Sequence, residues 1–340
     1  MVSSGYRKRG VGVMGVTRVR NPILLAKEML VRGEESDGGG AQGHCQLTGD
    51  VCERLAGDWD LETVDRGYFW TRRRWEEHRK GLGKSCEREE YERERRAAGY
   101  DEVFERVQVG GEEGDIYLTN DPSWNGTDYL PQGTVGCVVL DSTGTICVAT
   151  STGGITNKLP GRVGDTPTLG AGFWAEEWQS STKISQQTSP SPFSILSDWT
   201  SALTACTPSL TSASTYHPVP QEVSLRRRAA AISGTGNGDS FLRLSAVRTA
   251  CAIARFSQPD SSLQRAVTAV AGPDGMLQLS AEDRWRKTGE GEGGMIGIEL
   301  DGSGVGRVVA DFNCGGMFRA WVDGDGEERV MVFREEFRMK

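Results

Sequence analysis

Gly133-Thr134 stands where the chain changes texture. Residues 109–132 before it hold Gly, Asp, Asn and Pro without any period and read as a flexible linker. The run GTVGCVVLD then opens a strand. A threonine at a strand start is ordinarily a β-former and nothing more. Its surroundings give it a second reading. Gly133 leaves the preceding peptide bond unhindered. Downstream lies a cluster of hydroxyls, an amide and charges: Thr150, Ser151, Thr152, Thr156, Asn157, Arg162 and Asp165. Arg162 and Asp165 sit close together in a Gly-rich segment. They form either a local salt bridge or a clamp for a zwitterion, the guanidinium fork taking a carboxylate and the carboxylate an ammonium. The run GTGNGD (234–239) places Thr235, Gly236 and Gly238 at a strand–turn–helix junction. It lacks the third glycine of a dinucleotide-binding loop. Its backbone N–H groups either hold an anion or oxyanion, or simply close a tight turn.

Any hydroxyl nucleophile needs a base, and histidine is scarce. The chain has 3. His44 lies in a Gly-rich loop, His78 on a charged helix and His217 in a low-complexity stretch. None is placed for a Ser-His or Cys-His pair. An α-amine, with an ordinary pKa of about 7.7–8.0, is a suitable base at neutral pH, and a threonine freed at its N-terminus carries one.

The composition bounds the rest. A net charge of -8 over 340 residues argues against bulk attraction to nucleic acid. The basic runs at Arg7-Lys8-Arg9, Arg72-Arg73-Arg74 and Arg226-Arg227-Arg228 read as solvated faces. No apolar run is long enough to span a membrane, and the first residues lack the features of a secretory signal. The 8 cysteines form no Cys-x-x-Cys pair. Cys137 and Cys147 lie in apolar strand-like runs. Buried free thiols in a reducing, cytoplasmic setting are the expectation, with no metal site.

These residues need elements to position them. Residues 10–19 read as a strand. Pro22 opens a helix that Gly33 ends. Asp50 caps a short helix over VCERLAG, and residues 70–82 and 86–98 are helical and highly charged, the second polar almost all round. GTVGCVVLD and TICVATSTGG, joined by Ser142-Thr143-Gly144, read as a hairpin of two mostly buried strands. Residues 152–172 are Gly-rich and irregular. Half of residues 180–215 are Ser or Thr, with no period, which predicts a disordered insert or translated non-coding sequence. Then come a small-residue strand (229–233), a Gly turn, a helix capped at Asp239, a helix over 262–271 and two hairpins. Helices then strands, twice over, predict α+β with antiparallel sheet.

The run GTVGCVVLDSTGTICVATSTGGITNKLPGRVGDTPTLGAG resembles the start of the β-subunit of plant-type L-asparaginases/isoaspartyl peptidases. RVRNPILLAKEML, ERLAGDWDLETVDRGYFWTRRRWEE, ISGTGNGDSFLRL and VVADFNCGGMFRAW extend the resemblance over most of the chain. It implies a four-layer αββα sandwich of the N-terminal-nucleophile hydrolases. Residues 1–133 would be a partial α-subunit and 134–340 the β-subunit. Self-cleavage would fall between Gly133 and Thr134. Thr134 would be the nucleophile, supported by Thr152. Arg162 and Asp165 would hold the substrate's α-carboxylate and α-amine, and Thr235, Gly236 and Gly238 would form the oxyanion and substrate turn.

The implied reaction releases aspartate from L-asparagine or isoaspartyl dipeptides without a cofactor, in a homo-oligomer of cleaved αβ units. A His-Gly-Gly-Ala-Gly-like first strand, the helix after it and a loop asparagine of the oxyanion hole have no counterpart here. The resemblance therefore also implies a fold incomplete at its N-terminus. Two alternatives stand beside it. GTGNGD is similar to the glycosylasparaginase turn, though that group carries Asp where this chain has Gly133, and a threonine endopeptidase shares the mechanism. A truncated, silent scaffold is the other.

Overall fold

A computed structural model describes residues 1–7, 9–97, 133–182, 224–257 and 262–334. The linker 109–132 and most of the 180–215 segment lie outside these residues.

The centre is an antiparallel four-stranded sheet of order β5-β6-β7-β8, formed by β5 (Phe173–Thr182), β6 (Ser224–Gly236), β7 (Gly293–Leu300) and β8 (Gly306–Phe312). Strand β6 runs beneath two layers, and its sequence explains how. Strand side chains alternate faces. Ala229 and Ala231 face the hairpin of β3 (Val135–Leu140) and β4 (Ile146–Ser151), packing with Ile146, Val148, Phe173 and Ala175. Ala230 and Ile232 face two helices, α6 (Ala246–Phe256) and α7 (Leu263–Ala271), with Val247, Ala250, Val267 and Val270. All of these are buried. Alanine on both faces lets both layers approach closely, so a strand of tiny residues forms the middle of the core.

A second core lies in the N-terminal part, around Leu25 and Met29 of α1 (Pro22–Val31) and Cys52, Leu55 and Ala56 of α2 (Asp50–Asp58). The parallel pair β1 (Gly12–Met14) and β2 (Gln46–Thr48) flanks it. This part joins the sheets directly. Ser3 N donates to Ile146 O at 2.9 Å, and Val148 N to Met1 O at 2.8 Å, so the first residues run along β4. The charged helices α3 (Arg72–Gly81) and α4 (Arg88–Ala97) clasp each other through buried Arg79, which reaches Glu94 at 2.5 Å and also holds Glu90. Two short helices, α5 (Gly238–Leu244) and α8 (Met276–Ser280), and the hairpin β9 (Arg319–Val322)–β10 (Glu328–Met331) complete the described chain.

The α+β class with antiparallel sheet is as the sequence implied, and several details differ. The hairpin is not mostly buried: Val135 is 68% and Val139 53% exposed, and Cys137 and Cys147 are exposed too. Only one face of β3 and β4 meets the four-stranded sheet. Strand β5 continues to Thr182, pairing Ser180 with Arg226, so the first residues of the predicted insert belong to the sheet. Arg227 and Arg228 are not simply solvated; they lie in β6 and pair with Glu177 and Glu299. The first strand shrinks to three residues, ended by Gly15 at φ 68°. The helix after GTGNGD is capped by Asn237, whose side chain accepts from Ser240 N, and Ser245 in the left-handed region (φ 44°) breaks it from α6. Asp50 likewise begins α2 rather than capping it, and the helix pair α3–α4 buries Trp75 and Tyr91.

Candidate active site

Alternation along three strands sends the predicted site residues to one place. On β4, Ile146 and Val148 point into the space between the sheets, so Thr150 and Thr152 follow them. On β3, Val138 and Leu140 point inward, so Gly136 and Thr134 do as well. On β6, Ala229 and Ala231 point inward, so Ser233 and Thr235 follow. Val135 pairs with Ser151 and Gly136 with Thr150, which sets Thr134 opposite Thr152. Five hydroxyl residues thus gather at one end of the intersheet space.

Hydrogen bonds link four of the five in two pairs. Thr134 Oγ1 donates to Thr152 Oγ1 at 3.1 Å, and Thr152 Oγ1 also accepts from Gly154 N at 3.0 Å. Thr150 Oγ1 and Ser233 Oγ share a hydrogen bond of 2.7 Å across the sheets. Lys158 Nζ donates to Gly153 O at 3.0 Å and to Ile155 O at 3.4 Å, pinning the loop that leaves Thr152. Beside Gly133, on the other side of Thr134, lies the guanidinium of Arg74 from α3.

The Gly-rich segment delivers the charged pair. Gly234 N donates to Gly172 O at 2.8 Å, tying the segment's end to β6. Arg162 and Asp165 then flank Gly238, the first residue of α5. A Cβ there would lie 2.6 Å from Asp165 Oδ1 and 3.0 Å from Arg162 Nη2, so only glycine admits both groups. Arg162 Nη2 is paired at 3.4 Å with Asp239 Oδ2, not locked to Asp165. Asp165 is buried, and burial pushes its carboxyl up to about 6, against the opposing pull of nearby backbone N–H groups and Arg162. Thr235 and Gly236 are half-buried at the end of β6, facing Gly294 and Gly293 in register, with Gly236 at φ 151°.

Every predicted site residue is therefore placed, in two clusters at the end of β6. Ser233, Asp239 and His78 lie outside that predicted set, as do Arg74 and Lys158. Ser233 gives no sign in the sequence beyond its place in a small-residue strand. Asp239 reads in the sequence only as a helix cap. His78 Nδ1 donates to Asn157 Oδ1, and Asn157 Nδ2 donates to His78 O at 3.2 Å, so α3 docks on the loop. Nothing in the spacing of residues 78 and 157 signals that contact.

Fold and site together define an α+β protein with an antiparallel two-sheet core, whose strand ends converge on paired threonines beside an arginine and a buried aspartate. The asparaginase family profile matches residues 1–182. Across 98% of its length the chain is 26% identical to the isoaspartyl peptidase of Escherichia coli (strain K12), covering 71% of that protein. It is 31% identical over 180 residues to a Dictyostelium discoideum protein named for both isoaspartyl peptidase and L-asparaginase activity, 52% of this chain and 47% of that one. A stretch of 44 residues is 64% identical to the isoaspartyl peptidase/L-asparaginase of Bos taurus, 13% of this chain and 14% of that one. The alignment with the Dictyostelium relative thus spans about half of each chain. The chain belongs to the asparaginase family.

Proposed function

We propose that this chain is a self-cleaving amidohydrolase that releases aspartate from L-asparagine and from isoaspartyl dipeptides, with Thr134 as nucleophile. The observation that carries this reading is the 3.1 Å hydrogen bond from Thr134 Oγ1 to Thr152 Oγ1, beside a linker end and within one strand end of Arg162 and Asp165.

Cleavage begins with the Thr134 hydroxyl oxygen attacking the Gly133 carbonyl carbon. The C–N bond to Thr134 breaks, its nitrogen takes the hydroxyl proton, and an ester remains. Water hydrolyses the ester and leaves Gly133 with a carboxylate and Thr134 with a free amine. In turnover that amine accepts the Thr134 hydroxyl proton. The oxygen attacks the side-chain amide carbon of the substrate. The oxyanion is held by the Thr235 hydroxyl and the Gly236 N–H. The leaving nitrogen takes the proton and departs as ammonia or as the amine of the second residue. Water then hydrolyses the β-aspartyl ester. Thr152 orients the nucleophile. Arg162 binds the substrate's α-carboxylate through its fork, and Asp165, ionised above about pH 6, binds the α-ammonium. Asp239 holds Arg162 until that carboxylate arrives. No cofactor enters these steps. The αββα sandwich, cleavage into α and β parts and pairing of two such units are part of the same proposal.

The exposed outer face of β3 favours a competing reading, a scaffold that never cleaves. Expression of the full chain separates the two. Two fragments are expected on a denaturing gel, with Thr134 at the new N-terminus of the second, while Thr134→Ala stays intact. Aspartate release is compared on asparagine, a β-aspartyl dipeptide and glycosylasparagine, the last identifying a glycosylasparaginase-like preference. An intact wild-type chain that releases no aspartate refutes the proposal.

A further inference from the structure

One contact near the site has no role in the chemistry above. Thr150 and Ser233 share a 2.7 Å hydrogen bond between the two sheets. It sits among apolar neighbours: inward of it lie Val148 and Ala231, both essentially buried, and Ser233 itself is 4% exposed. The pair touches three strands. Thr150 is on β4. Ser233 is on β6. Gly136 on β3, directly opposite Thr150 in register, lies so close to Ser233 that an added Cβ would come within 2.8 Å of the Ser233 Cβ and closer still to its hydroxyl. Ser233 thus fills the notch that Gly136 leaves.

The position of this junction matters. A strand rises about 3.3 Å per residue, so two residues span about 6.6 Å and return to the same face. Two residues from Gly136 is Thr134. Two residues from Thr150 is Thr152. Two residues from Ser233 is Thr235. The junction is the last fixed point on all three strands before each delivers its own site residue. Ile146 and Val148 interlock further along the strands, but next to the junction the facing residues of β6 and β3 are Ala231 and Gly136, which offer little interlock. A directional hydrogen bond between half-buried Thr150 and buried Ser233 fixes the register there.

We infer that Ser233 and Thr150 are positioning residues for the proposed reaction: their shared hydrogen bond sets the distance and angle between Thr134, Thr152 and the Thr235 hydroxyl, without touching substrate. This rests on Thr134 being the nucleophile. A residue that only fills space would affect stability. A residue that sets the geometry affects the rate of the chemical step at unchanged substrate affinity, because Arg162 and Asp165 are placed around Gly238 at the start of α5.

The test uses the full chain. Thr150→Val keeps the volume and removes the hydroxyl. Thr150→Ser keeps the hydroxyl and removes the methyl. Ser233→Ala removes the partner and is the second route if Thr150→Val does not fold. For each, the half-time of self-cleavage and the kcat and KM per cleaved molecule are measured. Thr150→Val and Ser233→Ala are expected to slow both cleavage and kcat about tenfold with KM within about twofold of wild type, the net worth of one hydrogen bond. Thr150→Ser is expected near the wild-type rate, and the Thr150→Val/Ser233→Ala double variant no slower than either single. Singles at the wild-type rate, or Thr150→Ser as slow as Thr150→Val, overturn the inference. A wild-type chain that neither cleaves nor releases aspartate overturns the proposed function instead, so the two failures are distinguishable.

Discussion

Replacing Asp165 by asparagine should make the protein more stable and less able to bind substrate, and the gain in stability should depend on pH. Asp165 is 7% exposed, and burial is the largest influence on its carboxyl. Its pKa stands at about 6 in the folded chain, against a reference of 3.8. The folded protein therefore holds that proton to higher pH than the unfolded chain does. Between about pH 4 and pH 6 the native state binds more protons, so stability falls as pH rises through this window. Above it the full cost is present. A shift of about two units at about 1.36 kcal/mol each gives on the order of 3 kcal/mol. Asparagine keeps the shape and the acceptor oxygen for the nearby backbone N–H groups, and has no charge to desolvate.

The measurement is best made in a Thr134→Ala background, so that every chain has the same covalent state. Denaturant or thermal unfolding at pH 8 should show Asp165→Asn more stable by up to about 3 kcal/mol, several degrees in Tm. At pH 4 the difference should nearly close, because Asp165 is then protonated in the folded chain and about half protonated in the unfolded one. In the Thr134-containing chain the same substitution should lower kcat/KM about 10²–10³-fold, the loss expected when a buried ion loses its partner, here the substrate's ammonium. Equal or lower stability of Asp165→Asn at pH 8, or a difference that does not change with pH, refutes the reasoning.

The same geometry sets three further outcomes. Wild-type KM should rise as pH falls below about 6, as Asp165 takes up its proton, and Asp165→Asn should flatten that limb of the profile. Thr152→Val should keep KM and lower kcat about 10–100-fold by removing the acceptor of the 3.1 Å Thr134 hydrogen bond; unchanged kcat would show that Thr152 does not orient the nucleophile. Gly238→Ala should raise KM much more than it changes Tm, since its Cβ would press on Asp165 Oδ1 and Arg162 Nη2, while Gly136→Ala should lower Tm by overpacking against Ser233, at about 1–3 kcal/mol.

Much of this arrangement was legible in the sequence because it depends on alternation and on glycine. Thr134, Thr152 and Thr235 share parity with inward residues of their own strands, which a period of two makes visible once a strand is recognised. Gly238 could be suspected because a glycine at a helix start invites close approach. The parts that were not legible depend on layers that the chain does not announce. The hairpin's apolar runs predicted burial on both faces, yet Val135, Cys137, Val139 and Cys147 have only one face covered among the described residues. A continuous apolar strand says that both faces could be buried, not that something covers each. The reach of β5 to Thr182 was hidden because its last residues share the Ser/Thr composition of the segment after them. The cap at Asn237 was hidden because Asp239 is an equally good capping type, and the choice between them is made by the end of β6, where Asn237 N is held by Glu292 O at 2.8 Å.

The same sequence features that close the core also concentrate its polar groups. Alanine and glycine on β6 let the two sheets and the helix layer come together, and that closeness brings the half-buried hydroxyls at the strand ends within reach of one another. Thr134 pairs with Thr152 and Thr150 with Ser233. Asp165 accepts from nearby backbone N–H groups but has no ion-pair partner among the described residues. Its cation is held by Asp239, and its own proton affinity is raised. A substrate bearing a carboxylate for Arg162 and an ammonium for Asp165 would satisfy both groups at once. The buried carboxylate that weakens the fold at neutral pH is then the group by which the site selects a zwitterion, and its stability cost and its binding role are two consequences of one burial.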